Sequence, residues 1–120
     1  MSPAPPDPDL DDLAAAFELI ALPYNDQRAL LPPDGYGDDG VMRECVEGLR
    51  DAMARMPDLL RRGGIGALAA ADALACHLRM ESLVRDAERA TPRAFAAHAD
   101  WQQVRALAAT VAAAVRAGPT

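Results

Sequence analysis

Proline decides where this chain can be helical. Ten prolines occur in 120 residues, and a proline inside a helix removes a backbone hydrogen bond and clashes with the carbonyl one turn earlier. Pro8, Pro23, Pro32, Pro33, Pro57, Pro92 and Pro119 therefore bound the candidate segments. Between them apolar residues recur at three- and four-residue spacing, the signature of a helix with one buried face. No stretch of four residues alternates β-branched or aromatic side chains with polar ones, so no strand is expected. The internal repeats of a solenoid are also absent. The pattern predicts an all-α, single-domain four-helix bundle over residues 7–118, with helices at 8–22, 39–56, 67–90 and 92–117. A long loop is expected at 23–38, and a disordered tail at 1–6.

Each helix carries its own signals. Asp7 suits an N-cap and Pro8 a first helical position, where the missing N–H costs nothing. Leu10, Leu13, Ala14, Phe17, Ile20 and Ala21 share one face of the first helix. Asp9, Asp11 and Asp12 sit in its first turns, where negative charge suits the helix dipole. In the second helix Val41, Met42, Cys45, Val46, Leu49, Ala52, Met53 and Met56 form one stripe. Arg43–Glu47 and Asp51–Arg55 lie opposite it as four-apart charge pairs. Pro57 ends or kinks that helix, and "GGIG" (63–66) reads as a helix–helix turn. Thr91-Pro92 starts the fourth helix and Gly118-Pro119 stops it. Its apolar face runs through Ala97, Trp101, Val104, Leu107, Ala108, Val111 and Val115, with His98, Gln102, Arg105 and Arg116 opposite.

The third helix is apolar on two sides. One stripe holds Ala71, Leu74, Ala75, Leu78 and Ser82; the other holds Ala69, Cys76, Met80, Leu83 and Ala87. Asp72, Arg79 and Asp86 separate them on one side, and His77, Glu81 and Glu88 on the other, along a line expected to face solvent. Such a helix is the centre of a bundle or presents its second face to a partner. The expectation is a homodimer through Cys76, Met80 and Leu83. Alanine contributes little apolar area, whereas burying a Leu or Phe is worth roughly 1.5–3 kcal/mol. An alanine-rich domain therefore gains from burying further surface in another chain.

Composition narrows the function classes. Net charge is −6 with a pI near 4.7, and the basic residues, all twelve of them arginine, are interleaved with acids. Nucleic-acid binding needs clustered phosphate-neutralising charge, so it is not expected. The absence of lysine with abundant Ala, Pro and Gly suggests a bacterial genome rich in G and C. No apolar run approaches the roughly 20 residues of a membrane-spanning helix, and the start lacks the basic and apolar regions of a secretion signal. Cys45 and Cys76 have neither CxxC spacing nor a disulfide framework. They read as small buried hydrophobes in a reducing cytoplasm.

Candidate sites are sparse. His77 and Glu81, four apart on one helix, can meet one metal ion, but di-iron bundles use Glu-x-x-His from two helices, and no second copy exists here. Residues 34–45 fail the EF-hand pattern: position 3 is Tyr36, position 6 is Asp39 and position 12 is Cys45. Asp38 and Asp39 serve more simply as helix caps. Ser2 and Ser82 have no G-x-S-x-G context, adjacent Cys76 and His77 diverge on a helix, and "GGIG" lacks the lysine of a phosphate loop. No catalytic constellation and no cofactor motif emerges. Tyr24, Pro32, Pro33 and Tyr36 share the long loop, and tyrosine is favoured at interfaces. With Phe95, which falls off the stripe of the fourth helix, they form the candidate partner-binding set. The profile is that of a small acidic cytoplasmic helical protein acting by protein–protein contact, as a regulator, immunity-type protein or adaptor. The alternative is a bundle that binds a metal or small ligand through His77 and Glu81.

Overall fold

The computed structural model describes residues 7–31 and 38–118. They form an all-α fold: α1 Pro8–Ala21, α2 Tyr24–Leu30, α3 Asp38–Met53, α4 Met56–Arg61, α5 Ala67–Val84, α6 Pro92–Ala97 and α7 Ala99–Arg116. The four long helices α1, α3, α5 and α7 match the four expected ones. Three short helices lie where a loop or continuous helix was predicted, so the count of four needs correction.

The local signals act as chemistry requires. Asp7 Oδ1 accepts from the backbone N–H of Asp9 at 3.1 Å and of Leu10 at 3.5 Å, capping α1. Thr91 Oγ1 accepts from Ala94 N at 3.1 Å. Pro57 cannot bond the carbonyl of Met53, so α3 stops there and α4 begins one turn later with proline in its first turn. After α4, Gly64 N donates to Leu59 O at 2.8 Å and Gly63 N to Leu60 O at 3.2 Å. Gly63 has φ +71°, the left-handed glycine that closes a helix C-terminus with this pair of bonds. "GGIG" is thus a turn.

Three boundaries differ for tertiary reasons. Residues 24–30, expected in the loop, fold as α2, because Gln27 is buried and its Nε2 donates to Leu19 O and Ile20 O at 3.0 and 3.1 Å. The third helix ends at Val84 rather than 90; Trp101 Nε1 then donates to Arg89 O at 2.7 Å. The fourth helix breaks at His98, whose Nδ1 accepts from Asp100 N at 3.0 Å and caps α7. In a continuous helix Phe95 and Trp101 would diverge by about 120°. The break turns both inward, with ring centroids 4.9 Å apart in an edge contact.

The core lies where α1 and α7 run together over their longest shared seam, with α3 against α1 and α5 against α7. Phe17, Leu49, Met80, Trp101 and Val104 are among its fully buried members. Arginines at the ends of α4 and α7 collect the acids of α1 and of its N-cap. Arg62 Nη2 reaches Asp7 at 2.7 Å, Arg55 Nη1 reaches Asp12 at 2.7 Å, and Arg116 Nη2 reaches Glu18 at 2.7 Å. The fourth side of the bundle, α3 against α5, makes little contact. The bundle is open along that edge.

Candidate functional site

The open edge is a groove of about 930 Å³ between α3–α4 and α5. Its apolar walls come from Met53 and Met56 on one side and from Ala71, Leu74 and Leu78 on the other, with Leu60 at the rim. A cleft of this size and apolar character, with a few polar groups converging at one end, is the usual form of a binding site. The polar end is built from Arg50, His77, Glu81 and Arg85. Arg50 Nε and Nη2 donate to the two carboxylate oxygens of Glu81 at 2.6 and 2.8 Å. This fork holds the Glu81 carboxyl below its ordinary range, with His77 and Arg85 adding to the shift.

The orientation of α5 reverses the expected one. Cys76, Met80 and Leu83 are buried within the chain against the α1–α7 core and cannot form a dimer face. The stripe that looks outward is the other: Leu74 is 49 % exposed and Leu78 58 %, with Leu68 at 84 % beside them. Both stripes are apolar in sequence, so periodicity could not choose between them. Cys76, Met80 and Leu83 belong to the common core, and the Cys76 thiol lies 3.9 Å from the Val104 carbonyl on α7.

His77 and Glu81 face the groove wall, half-buried, instead of solvent. Their closest approach is 3.3 Å, from His77 Nε2 to Glu81 Oε1. That contact is not aligned as a hydrogen bond, so the buried Nε2 has no such partner among the described residues. No group of three His, Cys, Asp or Glu side chains suited to a metal gathers among the described residues. Arg50 already occupies the Glu81 carboxylate, and a guanidinium there repels a cation. The metal-ligand assignment of His77 and Glu81 therefore does not fit the geometry.

Phe95 is buried between Tyr24, at 6.0 Å, and Trp101, so it is a core residue and not an exposed anchor. Tyr24 is half-buried on α2 and packs edge-on against it. Pro32, Pro33 and Tyr36 lie outside the described residues. Cys45 and Cys76 are buried, and burial pushes their thiols up to about 12 and about 11. Neither is a thiolate nucleophile at neutral pH.

Arg105 was expected on a polar face but is only 5 % exposed. Its Nε donates to Leu22 O at 3.1 Å and its Nη2 to Gln27 Oε1 at 3.0 Å, and its Cζ lies 4.7 Å from the Phe95 ring centre. Its Nη1 is buried with no hydrogen-bond partner among the described residues. Burial lowers its pKa. No sequence signal marks this residue, because its partners lie about 80 positions away.

No protein-family model, curated protein or solved structure matches this chain. No helix among the described residues is long and apolar enough to cross a membrane. Fold and site together define a class, an all-α protein with one open, apolar bundle edge.

Proposed function

We propose that this chain is a non-catalytic interaction protein, a small acidic regulator, immunity-type protein or adaptor that docks another polypeptide on its open α3–α5 side. The observation that carries the proposal is the exposure of Leu68, Leu74 and Leu78 on α5, beside an apolar groove. Apolar helix faces of this kind are docking surfaces for helices, and contiguous exposed apolar surface marks interaction sites. Two unpaired, buried thiols support a reducing, cytoplasmic setting.

The test is capture of partners by the tagged full chain in its source organism, beside the Leu78→Glu variant. A protein retained stoichiometrically by the parent and lost from a variant of unchanged circular dichroism is the expected result. Identical recovery by both chains, or none by either, would reject the reading.

A further inference from the structure

The floor of the open groove is apolar, and its charge is gathered at one end. Met53, Met56 and Ala70 are buried and line it together with Leu74. Along α5 the lining runs from Ala67 to Arg85, about 27 Å at about 1.5 Å per residue. No charged side chain lines the stretch from Ala67 to Leu74; Arg50, Glu81 and Arg85 stand together at the other end. The groove is also narrow. Cα atoms of α3 and α5 approach within 8 Å at their closest, whereas a helix with its side chains is about 10–12 Å across. A helix can ride on the rim at Leu74 and Leu78, but only a thinner chain reaches the floor.

Two guanidinium groups face one carboxylate at the polar end, which leaves a positive surplus there in a protein of net charge −6. Arg50 commits Nε and Nη2 to Glu81, and its Nη1 has no hydrogen bond among the described residues. Arg85 is exposed at the groove wall, and its guanidinium makes neither an ion pair nor a hydrogen bond among the described residues. Beyond the Arg50–Glu81 bridge lies a smaller cavity of about 360 Å³, where Arg43 and Glu47 balance each other in charge. The surplus therefore belongs to the groove. A carboxylate matches it: it is a planar monoanion, which a guanidinium binds through two parallel hydrogen bonds. A phosphate monoester carries about −2 at neutral pH and would leave charge unmatched beside Glu81.

We infer that the groove binds a single-chain amphiphile with a carboxylate head, its alkyl chain on the floor between Met53, Met56 and Leu74 and its head between Arg85 and Arg50 Nη1. This ligand goes beyond the docking of a polypeptide. It lies beneath the rim that a partner helix would cover, and Leu68 does not line its cavity.

Calorimetric titration of the full chain with laurate, kept below its micelle concentration, tests it. Saturable binding of one laurate per chain is expected, and decanoate should bind more weakly by about fourfold for each methylene removed. Dodecyltrimethylammonium, with a tail of the same length and the opposite charge, should bind at least about tenfold more weakly than laurate. Arg85→Glu should weaken laurate at least about tenfold, and Arg85→Lys should retain most of the affinity. Arg93→Glu makes the same change of net charge at an exposed residue of α6 that does not line the groove, and it should leave the affinity unchanged. Circular dichroism of each variant should match the parent. Absence of laurate binding, equal affinity for the cationic amphiphile, or an equal loss in Arg93→Glu overturns the inference. If partner capture still depends on Leu78 in that case, the polypeptide reading stands and only the ligand falls.

Discussion

Arg105 is a guanidinium in the interior with neutral oxygens and a ring face for company. An unpaired buried charge is costly unless its donors are met. Gln27 therefore holds the arrangement together: its amide oxygen accepts from Arg105 and its Nε2 donates to two carbonyls at the end of α1. Gln27→Ala should destabilise the protein by about 1–3 kcal/mol, the cost of stranding buried polar groups, as read by chemical denaturation. Replacing Arg105 by Met should cost less than removing Gln27, because the charge goes with its requirements. Glu81 gives a pH signature. Its folded pKa is depressed below 4.5, first by the Arg50 fork, so its contribution is present above that value and lost as pH falls through the lower folded pKa. Thermal midpoints should decline on acidification below about pH 4.5, and Glu81→Gln should lower the neutral-pH midpoint while flattening that decline. Arg50 is nearly half exposed, so solvent screening keeps the effect modest.

At the scale of the elements, α5 decides most. Its two apolar stripes are equivalent to any periodicity argument, yet one is packed and the other is not. Met80→Ala should cost about 2–5 kcal/mol, as cavity-forming core changes do. Leu78→Ala should stay within about 0.5 kcal/mol, measured on the chain without a partner. Equal costs at the two positions would contradict the assignment of faces. The helix starts were legible in sequence because caps are local: Asp7, Thr91 and the prolines act within one turn. The ends of α5 and α6 were not, since Trp101 bonding to Arg89 O and Phe95 turning inward are consequences of a contact that forms only on folding. The candidate site was half legible for the same reason. His77 and Glu81 were visible as a four-apart pair, but the groove that they line needs Arg50, Met53 and Leu60 from α3 and α4 beside α5.

For the molecule as a whole, periodicity and proline placement were enough to determine an all-α domain with four long helices, their approximate bounds, and a helix with more apolar surface than one core contact requires. These properties follow from backbone chemistry and from side-chain spacing, which act over a few residues. Tertiary packing alone decided which stripe of α5 points inward, that α3 and α5 leave an open edge, and that Arg105 lies in the interior with Gln27. Those outcomes depend on which volumes fill the space between α1 and α7. A contact between residues some 80 positions apart leaves no mark on the local pattern of either.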